Sequence, residues 1–166
     1  PITVSLSVSH PAPPQHERKL KERGPAVHFQ RLQEVGRIAV QRSNMLPGDC
    51  LIIMSVSGRN PLPVEMAIAA REMGVKVIAI TSLAYSQAVE SRHPSGKNLF
   101  EVADMVIDNC GVTGDAIVDI GNLETRVGPT SGVAGCYIIW ALTCELARKL
   151  VDRGLRPTTV SYTHLT

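Results

Sequence analysis

Short runs of consecutive apolar residues alternate along this chain with stretches whose apolar positions recur every three or four residues. Cys50-Leu51-Ile52-Ile53-Met54, the largely apolar residues 75–80 and Met105-Val106-Ile107-Asp108 are of the first kind, and such runs predict strands covered on both sides, as in a parallel sheet. Val27, Leu32, Val35, Ile38 and Ala39 keep helical spacing across 27–42, and residues 44–49, with Pro47-Gly48, close that segment as a turn. Pro63 suits a first helical position, and Val64, Ala67, Ile68 and Met73 make a stripe that ends at Gly74. A weaker helical stretch covers 83–89, residues 100–103 lead into the third strand, and 115–120 predict an edge strand. Gly128-Pro129-Thr130-Ser131 predicts the opening of a last helix that runs to Arg153 and is stopped by Gly154. Strands and helices in this alternation specify an α/β fold, a three-layer αβα domain with a parallel, flavodoxin-like sheet and helices on both faces.

The two ends read differently. Ile2-Thr3-Val4-Ser5-Leu6-Ser7-Val8 alternates with the period of a strand, the three prolines of 11–14 exclude regular structure, and 15–24 is a charged, solvated loop. Residues 161–166, Ser-Tyr-Thr-His-Leu-Thr, carry no apolar period and are expected to be an adapter-derived tail, leaving 1–160 as one domain. Inside the last helix, residues 133–144 are apolar nearly all round, and Ile138, Ile139, Trp140 and Leu142 cannot all face one sheet at about 100° per residue. Burial by a second subunit is expected, hence a homo-oligomer.

Composition narrows the function classes. At 166 residues, with 44% apolar residues and only 4% aromatic ones, the chain is long enough for an aliphatic core without staples. A formal charge of +2 and few rings on which bases would stack argue against a nucleic-acid partner. The longest uncharged stretch, 127–144, opens with Gly, Pro, Thr and Ser, so its apolar part falls short of the ~20 residues a membrane span needs. Cys50, Cys110, Cys136 and Cys144 have no paired metal-ligand spacing and are expected to be reduced, mostly buried thiols of a cytoplasmic protein.

Ligands of open α/β sheets bind beyond the carboxyl ends of the strands, where backbone amides and helix N-termini point outward. Here the first such end carries Ser55-Val56-Ser57-Gly58-Arg59-Asn60, which offers two short hydroxyls, a glycine that lets a ligand approach the backbone, and a helix just after. Thr81-Ser82 ends the next strand and Thr130-Ser131 opens the last helix, adding hydroxyl donors to the same crevice. Turns and caps select the same residue types, so each segment alone is weak and their joint occurrence is the signal. No Walker loop and no Gly-x-Gly-x-x-Gly occurs, so no nucleotide, cofactor or metal is expected.

In this strand-loop-helix setting, Ser55 to Asn60 resembles the Ser-x-Ser-Gly phosphosugar signature of the SIS (sugar isomerase) domain family. Ile80-Thr81-Ser82, Ser91-Arg92-His93-Pro94-Ser95-Gly96-Lys97, Val106-Ile107-Asp108-Asn109-Cys110-Gly111, Gly114-Asp115-Ala116 and Gly128-Pro129-Thr130-Ser131 extend the likeness to a bacterial subgroup of SIS proteins often labelled phosphoheptose isomerases. The resemblance implies a sugar phosphate as ligand, with Ser55, Ser57, Gly58, Arg59, Asn60, Thr81, Ser82, Thr130 and Ser131 as its binding residues; Lys97 and Arg59 either neutralise phosphate charge or are ordinary solvated side chains. Aldose-ketose interconversion needs a base that carries a proton between adjacent carbons, and Glu65 or His93 is the candidate. A carboxylate early in a helix also complements the dipole, and a loop histidine also occurs without function. Two readings therefore stay open, a sugar-phosphate isomerase and a non-catalytic module that only binds the sugar phosphate. The chain departs from the subgroup at Val56, where many members carry a polar residue. It also has no match to the Gly-x-Gly-His-Ser loop that ends their first strand, so a chain lacking that strand is expected.

Overall fold

The computed structural model describes the backbone of residues 25–157 and the side chains of residues 31–157. The strand expected at 2–8, the loop after it and the tail at 161–166 lie outside the described residues. The elements in chain order are α1 (Pro25–Gln41), β1 (Cys50–Met54), α2 (Pro61–Glu72), β2 (Lys76–Thr81), α3 (Leu83–Gln87), α4 (Leu99–Val102), β3 (Met105–Asp108), β4 (Ala116–Val118), β5 (Val127–Pro129) and α5 (Ser131–Asp152). β1, β2 and β3 form a parallel three-stranded sheet in that order, flanked by helices in the flavodoxin-like manner.

Register decides where the chemistry collects. Leu51 pairs with Val77, Met54 with Ile80, and Thr81 with Asp108, so all three strands deliver their carboxyl ends to one edge. Under that edge lies the core, made of Leu51 and Ile53 of β1, Val77 and Ala79 of β2, Val64, Ala67 and Ala70 of α2, Val40 of α1, and Leu99 and Val102 of α4. Alanines on α2 leave room for close approach to the sheet, and Gly36 does the same for α1. A Cβ there would stand 2.9 Å from the Leu62 carbonyl oxygen, so the two helices touch through backbone.

Two boundaries and the cysteines differ from the sequence reading. α2 begins at Pro61, two residues before Pro63, because Asn60 is extended and serves as its N-cap, and either proline satisfies the first-turn rule. Residues 127–129 pair antiparallel with 116–118 in a separate two-stranded sheet, so Gly128-Pro129 belongs to a strand and the last helix opens only at Ser131. All four cysteines are free and exposed, which corrects the expectation of buried thiols.

From Gly132 on, the described residues form a compact unit of their own. Within it α5 runs to Asp152, Gly154 follows in the left-handed region at φ +75°, and Arg148 bridges Glu145 and Asp152 along one face. Val133, Tyr137, Trp140 and Leu146 are exposed. Among the described residues no helix is long and apolar enough to cross a membrane.

Candidate functional site

The loop after β1 is tied down by its carbonyl groups. The Val56 oxygen accepts from Ser82 N–H (3.0 Å) and from the Thr81 hydroxyl (2.9 Å), the Gly58 oxygen from Leu99 N–H (2.8 Å), and the Arg59 oxygen from Arg92 N–H (2.8 Å). The main-chain N–H groups from Val56 to Asn60 donate to nothing among the described residues. With these three carbonyls bonded and the amides unpaired, the loop keeps a run of backbone donors available to an anion. Gly58 makes this turn possible at φ +57°, where a Cβ would meet Leu99 Cβ at 3.2 Å, Ser86 Oγ at 3.3 Å and Thr81 Oγ1 at 3.4 Å.

Ser55 and Ser57 are half-buried, and their hydroxyls bond to no described residue. Arg59 Nε is buried and lacks an acceptor among the described residues, while Asn60 is exposed with Oδ1 3.4 Å from Arg92 Nη1. Two of the first three residues of α2 are Pro61 and Pro63, so its N-terminus offers a dipole but few amide donors.

Thr81 and Ser82 lie at the expected edge, with their hydroxyls facing inward. Both are fully buried. Thr81 Oγ1 bonds the Val56 carbonyl and sits 2.6 Å from Ser86 Oγ, while Ser82 Oγ donates to the Gly111 carbonyl at 2.6 Å and accepts from Tyr85 N–H. They form the floor on which the loop rests. Ser86, unremarked in the sequence, is the third member of that floor.

Glu65 and His93, 28 positions apart, meet. Each is 7% exposed, and His93 Nε2 lies 2.8 Å from Glu65 Oε2. The other carboxylate oxygen accepts from Arg37 Nε at 2.7 Å, and Arg37 also reaches Glu72 at 2.6 Å. Glu65 thus lies beyond the first turn of α2 and answers to two cation-capable side chains, not to the helix dipole. Burial pushes its carboxyl upward, but the hydrogen bonds from His93 and Arg37 more than offset this and hold it below the usual carboxylate range. Sequence reasoning missed Arg37 and Gln33 of α1 and Ser95, which surround the pair. Only Ser95, two residues after His93, had a local signal. The pair stands beside the loop, since Arg92, whose N–H holds the Arg59 carbonyl, precedes His93 directly.

The sequence model of the SIS domain family matches residues 11–82, which include β1, the donor loop, α2 and β2. Similar chains are a UPF0309 protein of Shouchella clausii, 46% identical over 126 residues, covering 76% of this chain and 51% of the relative, and one of Halalkalibacterium halodurans, 42% identical over 142 residues, covering 86% and 57%. A UPF0309 protein of Listeria monocytogenes serotype 4b is 38% identical over 154 residues, covering 92% of this chain and 62% of its own. Residues 11–82 belong to the SIS-domain family. The chain spans between half and two thirds of the length of these relatives.

The remaining SIS candidates, Thr130 and Ser131, are engaged elsewhere. Asp115, itself at φ +67°, accepts from Thr130 N–H at 3.2 Å and Ser131 N–H at 2.9 Å through Oδ1, and from the Ser131 hydroxyl at 2.6 Å through Oδ2. A carboxylate thus already occupies the donors that open α5. Lys97 lies on the rim of a groove of about 430 Å³ shared with Arg71, Glu72 and Glu101. No group of three His, Cys, Asp or Glu side chains suited to a metal ion occurs among the described residues.

Proposed function

We propose that this chain binds a sugar phosphate through residues 55–60. The observation that carries the reading is the loop itself, with the Val56, Gly58 and Arg59 carbonyls bonded and the amides from Val56 to Asn60 unpaired among the described residues. Ser55 and Ser57 add two hydroxyls with no partner among the described residues, and Arg59 adds a guanidinium from the same loop. Hydrogen bonds to a charged oxygen contribute about 1.5–3 kcal/mol each, so a phosphate gains far more here than a neutral sugar hydroxyl does. Calorimetric titration is expected to show glucose 6-phosphate binding and glucose giving no heat, and Ser57→Ala is expected to weaken binding by roughly 1 kcal/mol or more. Equal affinity for the two sugars would remove the anion site.

Isomerisation of the bound sugar is the finer reading, and the meeting of Glu65 and His93 supports it, since an aldose-ketose exchange needs a base beside the phosphate site. Against turnover stand the engagement of both Glu65 oxygens and the burial of both side chains, which support a binding module. Conversion of sugar phosphate by the chain, lost in Glu65→Gln while binding persists, is the result that decides for the enzyme.

The exposed apolar side chains of α5 support self-association. Sedimentation at micromolar concentration is expected to show a species larger than the monomer, and Trp140→Glu is expected to reduce its mass. A monomer in both proteins would rule this out.

A further inference from the structure

His93 Nδ1 lies 3.1 Å from Ser95 N and 2.7 Å from Ser95 Oγ. A backbone amide only donates, so Nδ1 must present its lone pair, and the single proton of a neutral ring then sits on Nε2. There it points at Glu65 Oε2, 2.8 Å away. The side-chain amide of Gln33, 3.0 Å from the same nitrogen, must then turn its oxygen toward that proton, its two ends being alike in shape. Arg37 closes the other side of Glu65, and the His93 side chain is 5% exposed.

The segment around His93 is knotted on itself and bound to the donor loop. Ser91 Oγ accepts from His93 N–H and donates to the Lys97 carbonyl, Gly96 N–H donates to the His93 carbonyl, and Arg92 N–H donates to the Arg59 carbonyl. Through Glu65 the same segment is anchored on α2, the helix that leaves the donor loop. The Arg59 end of the loop is therefore held from two directions, and His93 is the member shared by both.

We propose that His93 is a positioning residue for the anion loop. With its proton on Nε2 and directed at Glu65, it holds the main chain of Arg92 against the Arg59 carbonyl and so fixes the Arg59 end of the loop while its amides stay unpaired. It touches no ligand. This inference rests on the phosphate-binding reading of residues 55–60, and it assigns His93 a role that neither a base nor an idle surface histidine would have.

Two measurements test it on the full chain. Long-range ¹H–¹⁵N spectra of histidine-labelled protein should show one ring, absent in His93→Gln, with a protonated Nε2 and a bare Nδ1; this readout needs no ligand. A ring protonated at Nδ1, or one averaging the two tautomers, overturns the assignment. Titration with inorganic phosphate and with glucose 6-phosphate should show binding weakened about fivefold or more in His93→Ala and restored to within about twofold in His93→Gln, whose amide can still donate to Glu65. Binding by His93→Ala equal to that of the unaltered chain overturns the positioning role alone. Absence of phosphate binding in the unaltered chain overturns the loop reading and this role together, and the tautomer spectrum tells that case apart from a misplaced histidine.

Discussion

Gly58→Ala is expected to remove anion binding and to lower stability by roughly 2–5 kcal/mol. A left-handed backbone costs a residue with a Cβ about 1–2 kcal/mol, and overpacking a filled interior costs about 1–3 kcal/mol. Both apply, because the residue sits at φ +57° and the new methyl would press on Leu99, Ser86 and Thr81, of which Leu99, Ser86 and Thr81 are all fully buried and unable to give way cheaply. For a domain of this length the thermal midpoint should fall by about 10 °C. Circular dichroism melts check the stability and phosphate titration checks the loop. A midpoint within a degree or two of the unaltered chain would show that the loop does not need the left-handed turn.

The second large effect is expected at Glu65. Glu65→Ala leaves the His93 Nε2 proton with Gln33 only and Arg37 with Glu72 only, and losing a buried hydrogen bond to a charged acceptor costs about 1.5–3 kcal/mol. Arg37 is partly exposed and keeps Glu72, so most of that loss falls on the His93 contact. Glu72→Ala removes a more exposed contact with the same arginine and is expected to cost no more than about 1 kcal/mol. The contrast separates a buried clamp from a surface ion pair, and urea denaturation of the two variants measures it. Similar losses in both would place the weight on Arg37 instead. Because the Glu65 carboxyl is held below its usual range, its contribution is complete above the unfolded value of about 4.3 and disappears as pH falls through the lower folded value. Denaturation midpoints measured down through the acid range should therefore fall less steeply in Glu65→Gln.

β1 and β2 were legible because a run such as Cys50-Leu51-Ile52-Ile53-Met54 has one comfortable environment, the interior of a parallel sheet. The left-handed stops at Gly74 and Gly154 were legible for the same reason, since the preference is carried by one residue. What failed was non-local. Nothing near Gly128-Pro129 announces a partner at 116–118, so a local helix-start signal won on the page and strand pairing won in the fold. Likewise Thr81 and Ser82 reach the right edge of the sheet, but whether a hydroxyl faces ligand or floor depends on Val56, Ser86 and Gly111, which only the folded chain brings near. Glu65 and His93 were found singly and their pairing was invisible, because Arg37, the side chain that completes the clamp, stands on a helix with no motif around it.

A receptor for phosphate made of peptide N–H groups carries no titrating charge of its own. The guanidinium groups that adjoin it, Arg59 and Arg92, stay protonated at every pH a protein tolerates. Affinity in the 55–60 loop should then follow the ionisation of the ligand, rising as a phosphate monoester loses its second proton near pH 6 and level above pH 7 as long as the clamp behind the loop stays closed. Added salt should weaken it only slightly, because dipoles at contact distance are screened far less than separated charges. Binding through such a loop would therefore vary little with ionic strength.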